Sequence, residues 1–206
     1  MLQQGPVPLS SSSAPPAFAE EAESRLIAHV AGRDLAAFES LYRAYHPRLT
    51  RFLDRVTRRP GLVEEVLNDT MLVVWNAAAR FSGDSKVSTW IFAIAYRTAL
   101  KALRRVDTTF GADDAGLEAM ESAEPGPEEQ FARRELHAAL LHALDGLSPA
   151  HRAVVDLTYF HGMGYRDIAA VVDCPVDTVK TRMFHARRKL RDLLPQLSAP
   201  PAGGPA

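Results

Sequence analysis

Thr178, Lys180, Thr181, Arg182, His185, Arg188 and Lys189 fall on one side of a segment whose other side carries Val179, Met183, Ala186, Leu190 and Leu193. The two sets alternate at helical spacing, so one face of a helix packs while the other offers hydroxyls and cations to an anion. A helix of that width fits the major groove of duplex DNA, where hydroxyl and guanidinium groups read base edges. A shorter amphipathic stretch begins at Gly164, and a tight turn closed by Pro175 joins it to the cationic helix. That is the helix-turn-helix arrangement of a DNA reader.

A second set lies earlier in the chain. Trp90, Arg97, Lys101 and Arg104, at offsets of 0, 7, 11 and 14, share one side of another helix, with Arg105 adjoining. The loop before it carries Phe81, Ser85, Lys86, Ser88 and Thr89. Aromatic rings beside cations suit single-stranded nucleic acid, because bases stack on the rings while Lys and Arg follow the phosphates. Extruding a base costs roughly a few kcal/mol of unstacking, and a loop pocket beside a basic helix is a means of opening a duplex. Core positions for Trp90 and Phe81, with the cations facing solvent, fit the same residues. A third set, Glu65, Asp69, Leu72 and Asn76 with Asn68 at its edge, mixes carboxylates, amides and a leucine. Such a mixture suits a protein-binding surface, or an ordinary solvated helix face.

Chemistry of other kinds finds no support. There is no phosphate-binding glycine loop, nucleophile elbow or metal-ligand spacing. His137 and His142 are five apart, off the i, i+4 geometry of a helical zinc pair. Cys174 is the one cysteine, which excludes an internal disulfide and fits a reducing cytoplasm. Just before Pro175 it is most simply a small buried residue, with a redox role as the lesser alternative. The sequence therefore implies no enzyme activity, no metal and no cofactor. No apolar run approaches the ~20 residues of a bilayer span, so membrane insertion is not expected. Met1 to Ala17 is rich in Ser and Pro and lacks the basic start and apolar centre of a signal peptide.

These elements must be positioned by a helical scaffold, since strand signals are nearly absent. The expected fold is all-α, with two small helical domains joined by a flexible acidic linker. A tail spans 1–19, a first helical domain 20–106, the linker 107–130, a helix-turn-helix domain 131–195, and a second tail 196–206. In the first domain Phe38, Leu41, Tyr42, Tyr45, Leu49, Phe52 and Leu53 predict one long helix. Val63, Val66, Leu67, Thr70, Val74 and Ala77 predict another, and Trp90 to Arg105 a third, with Ser88 or Thr89 as its cap. Ser148 before Pro149 marks a helix start. The net charge of −1 conceals a segregation. Eight of the 25 acids lie between Asp107 and Gln130, with no Lys or Arg among them, leaving 17 acids against 24 Lys and Arg elsewhere. That surplus favours a polyanionic partner.

Asp34 to Tyr45, Val63 to Trp75, Thr89 to Arg97, Thr178 to Arg182 and His185 to Leu190 occur in this order. Together they resemble the extracytoplasmic-function class of bacterial sigma factors, the promoter-specificity subunits of RNA polymerase, over roughly Asp34 to Leu193. The resemblance implies that Glu65, Asn68, Asp69 and Leu72 dock on the clamp helices of the polymerase largest subunit. It assigns melting and reading of the −10 element to Phe81, Ser85, Lys86, Ser88, Thr89, Trp90, Arg97, Lys101 and Arg104. The −35 element falls to Thr178, Lys180, Thr181, Arg182, His185, Arg188 and Lys189. It also implies an anti-sigma partner and cytoplasmic action on promoter DNA. The chain departs from the family at Asn68, Thr98 and Asp177, where Gln, Asn and a small residue are usual. A linker of about 24 residues spans roughly 80 Å extended, and about twenty base pairs occupy about 68 Å, so both domains reach one promoter. The alternative is a conventional helix-turn-helix regulator whose first domain senses a ligand or dimerises.

Overall fold

The structure, a computed structural model, describes residues 16–109 and 146–197, with side chains over 20–106, at 108 and over 146–191. Seven α-helices, one short 3-10 turn and no strand are found among the described residues, in keeping with an all-α chain. Most of the acidic linker, His137, His142, residues 1–15 and 198–206 of the outer tails and the Leu193 side chain lie outside the described residues.

The first unit runs through α1 (Pro16–Ala31), α2 (Leu35–Thr57), α3 (Pro60–Ala77), a 3-10 turn (Ala78–Arg80) and α4 (Val87–Thr109). Each boundary has a local cause. The Asp34 carboxylate accepts from the backbone N–H groups of Ala36 and Ala37 at 2.9 and 3.1 Å, satisfying donors that open α2. Arg58 turns the chain with a left-handed φ of 53°, and Pro60 then opens α3, where its missing N–H has no helical partner to lose. The start of α4 differs from the sequence expectation. Its first residue is Val87, and the Trp90 N–H already donates to the Lys86 carbonyl at 3.1 Å, so Ser88 and Thr89 lie inside the first turn instead of capping it. The cause is burial: Val87 and Ile91 are both driven inside, which draws the helix start forward.

The second unit holds α5 (Pro149–Tyr159), α6 (Tyr165–Val172) and α7 (Val176–Leu197). The Ser148 hydroxyl accepts from the His151 N–H at 3.4 Å, ahead of Pro149. Gly162, at φ 62°, supplies the left-handed step between α5 and α6. Asp173, at φ 49°, closes α6 before Pro175.

Leu41, Tyr45, Leu49, Phe52 and Leu53 of α2 are fully buried against Val63, Val66, Leu67 and Val74 of α3 and the apolar side chains of α4. Phe38 and Tyr42 are half-buried at the rim. Ile91 through Tyr96 of α4 are buried without a gap. Residues about 100° apart around a helix cannot all lie on one face, so this stretch of α4 is covered all round. α1, α2 and α3 pack on it, α6 packs on it as well, and α5 lies against α2. The two units therefore share a seam that no motif of the sequence announces.

Candidate nucleic-acid interface

In α7, Val179, Met183 and Ala186 are buried and Leu190 half-buried, so its inner stripe faces α5 and α6. Lys180, Thr181, His185, Arg188 and Lys189 are exposed opposite them, and Thr178 is half-buried. Asp177, in the first turn where the helix dipole favours a carboxylate, bonds the Lys180 ammonium at 2.9 Å. Its carbonyl accepts from the Thr181 hydroxyl, also at 2.9 Å. The Lys189 ammonium donates to the Gly146 carbonyl.

Arg182 stands apart from this set. It is half-buried, with Nη1 3.6 Å from the Cys174 Sγ. Burial raises the pKa of the nearby Tyr96 hydroxyl on α4, and the Arg182 charge works against that rise. Its guanidinium therefore lies at the seam. Phe184 occupies the exposed face instead, 62% exposed, with its ring 5.6 Å from that of His185. It is missing from the sequence-derived set because an aromatic in a helix reads as core. The available signal is its register: one residue past Met183, it falls outside the buried stripe.

A hollow of about 650 Å³ between α5 and α7 is lined by Ser148, His151, His185, Arg188 and Lys189. Burial, then the charges of Arg182, His185 and Lys189, hold His151 below the usual imidazole range. The local field is positive, as an anion-binding face requires.

Around α4, Phe81 and Trp90 are half-buried with ring centroids 5.3 Å apart. They pack on the core yet keep an open edge. Arg97, Lys101 and Arg104 are exposed along the helix, as are Ser85 and Lys86 in the loop, while Ser88 is half-buried. Lys86 pairs with Glu20 of α1 at 3.4 Å. Thr89 is buried, and its Oγ1 lacks a hydrogen-bond partner, so it offers nothing to a ligand while the turn stays formed.

On α3, Glu65, Asn68, Asp69 and Leu72 are all exposed, Leu72 at 58%. The Tyr42 hydroxyl donates to Asn68 Oδ1 at 3.2 Å, fixing the amide. Arg105 of α4 bonds the Glu65 carboxylate, which raises the guanidinium pKa further. The acidic face of α3 and the basic face of α4 thus adjoin, while the α7 face is a separate surface. Among the described residues no group of three His, Cys, Asp or Glu is arranged to hold a metal ion. No described helix is long and apolar enough to cross a membrane.

Two family models match this chain: Sigma-70 region 2 over residues 41–109 and Sigma-70, region 4 over residues 137–190. The RNA polymerase sigma-H factor of Pseudomonas aeruginosa is 30% identical over 187 residues, spanning 86% of this chain and 96% of that protein. The chain belongs to the sigma factors of bacterial RNA polymerase. Its class is extracytoplasmic-function: the ECF RNA polymerase sigma-E factor of Escherichia coli K12 is 28% identical over 173 residues, 80% of this chain and 90% of that one. The solved structure of CnrH in complex with the cytosolic domain of CnrY aligns with a TM-score of 0.63 at 26% identity, covering 85% of this chain and 98% of CnrH. A sigma factor binds core RNA polymerase and directs promoter-specific transcription initiation, and this one carries both of the matched regions.

Proposed function

We propose a division of that work among the three exposed faces. The outer side of α7 reads the −35 element, with Thr178, Thr181, Phe184 and His185 toward base edges and Lys180, Arg188 and Lys189 toward phosphates. Phe184 supplies an apolar contact of the kind a thymine methyl accepts. The loop from Phe81 to Ser88 with Trp90 captures an extruded base of the −10 element, and Arg97, Lys101 and Arg104 follow the backbone. Glu65, Asn68, Asp69 and Leu72 dock on the clamp helices of the polymerase largest subunit. The observation that carries the assignment is the α7 face, where cations, hydroxyls and an exposed ring stand together opposite the buried Val179, Met183 and Ala186.

The chain does this in the cytoplasm and contributes no covalent chemistry of its own. A protein inhibitor belongs to the proposal, because CnrH was solved bound to a domain of another protein. Co-purification with core polymerase followed by run-off transcription tests the whole assignment. Association with core and initiation at a single promoter are expected. Tight binding to a −35-like duplex without any polymerase association instead supports a conventional regulator.

A further inference from the structure

The hollow between α5 and α7 draws Ser148 and His151 from the start of α5, and His185, Arg188 and Lys189 from α7. Its α7 wall is cationic, and the Lys189 ammonium is tied to the Gly146 carbonyl at the rim. Ser148 is exposed and His151 half-buried. The Ser148 Oγ lies 2.6 Å from His151 Nδ1, and the same oxygen accepts from the His151 backbone N–H at 3.4 Å.

A hydroxyl has one proton to give. While the ring is neutral, Nδ1 accepts that proton and the ring carries its own on Nε2. Once the ring is protonated, Nδ1 becomes a donor to the Ser148 oxygen, and the hydroxyl proton turns to another acceptor. One proton taken up thus gives the hollow a positive charge and a released O–H donor. Burial and the surrounding cations disfavour that state. Burial first, then the charges of Arg182, His185 and Lys189, hold His151 below the usual imidazole range. Arg188 lies on the same wall, while Arg152 and Asp156 of α5 turn to α2. An anion among these groups reverses the balance, because an opposite charge nearby favours the charged form of a base.

His185, Arg188 and Lys189 are common to the hollow and to the outer face of α7. A helix seated in the major groove has backbone phosphates at its flanks, and contacts to them fix register without reading sequence. We propose that the hollow seats one backbone phosphate of the −35 strand, held by Ser148, His151, Arg188 and Lys189, and that seating it takes up a proton at His151. A phosphodiester stays ionised near neutral pH, so the proton belongs to the protein. Seating raises the affinity of the imidazole for its proton. Promoter affinity is therefore flat at alkaline pH, where the ring is neutral in both states. It climbs by up to about tenfold per unit as the pH falls between the bound and free titrations, and levels off below both. The inference rests on α7 as the −35 reader.

The test uses the full chain assembled with core polymerase on a fluorescent promoter fragment, from about pH 8 to about pH 6, which brackets the ordinary imidazole value. His151→Gln keeps a side-chain donor without the charge. The parent should gain about threefold or more in affinity over this variant at the acid end and match it at the alkaline end. His185→Gln, titrated in parallel, separates the contribution of the other imidazole. Neutral methylphosphonates placed singly along the −35 strand should abolish the excess slope at one position. Competition by inorganic phosphate that removes the slope, with no single methylphosphonate doing so, makes the hollow a free-anion site and overturns the backbone seat. Nuclear magnetic resonance of the His151 ring in the full chain needs no substitution, and its titration midpoint should rise when a −35 duplex is added. An unchanged midpoint, or equal slopes for the parent and a folded His151→Gln, overturns the proton uptake. Binding that ignores both Lys180→Ala and Thr181→Ala at every pH sinks the reading of α7 instead.

Discussion

Two α7 residues, Phe184 and Arg182, divide the roles that sequence pattern assigns to the cation alone. The exposed ring is expected to touch a thymine methyl, and the half-buried guanidinium holds the seam. Phe184→Ala should weaken binding to a −35 duplex by about 1 kcal/mol, the scale of one apolar contact. Replacing thymine with uracil in the duplex should weaken the parent and leave Phe184→Ala unchanged, as fluorescence anisotropy will read. Its melting temperature should hold, since the side chain is exposed. Tyr45 is a different case, wholly buried with its hydroxyl donating to Glu23 at 2.7 Å. Burial, then the Glu23 charge, push its ionisation far above the ordinary tyrosine range. A raised folded pKa gives stability that is complete below the unfolded value, near 10, and is lost as pH climbs past it. Tyr45→Phe should cost about 1 kcal/mol at neutral pH and flatten the alkaline fall in the urea midpoint.

Helices decide which of these residues can act. The register of α7 was readable from its apolar spacing, and the boundaries at Asp34, Pro60, Ser148 and Pro175 from capping and turn chemistry. The start of α4 was not, because burial of Val87 outweighed the capping preference of Ser88 and Thr89. Thr89 shows the consequence: nominated for the −10 loop, it lies inside the core. α3 presents Leu72 at 58% exposure on the face that carries the carboxylates of Glu65 and Asp69. Leu72→Ser is expected to weaken association with core polymerase by more than about 1 kcal/mol, as a central apolar anchor does, while the urea midpoint stays fixed. A matching fall in stability would show that Leu72 supports the fold instead of the interface.

For the whole molecule, charge distribution matters more than charge total. A protein of net charge −1 still offers a polyanion exposed cations on one side of α4 and along α7. Each phosphate neutralised contributes about −0.9 to the slope of log affinity against log salt on duplex DNA. Lys180→Ala should therefore flatten that slope by about 0.9 in titrations of a −35 duplex between low and physiological salt. An unchanged slope would mean that Lys180 stays paired with Asp177 in the complex.

The sequence by itself determined the helices, the inner stripes of α2, α3 and α7, and the three polar faces, because each follows from side-chain spacing along a local helix. Only the tertiary structure decided that Ile91 to Tyr96 would be buried all round, that Arg182 would turn inward and that Arg152 would reach the end of α2. Those outcomes depend on which surfaces meet across residues far apart in the chain, and a burial contest between such surfaces leaves no periodic mark in either one.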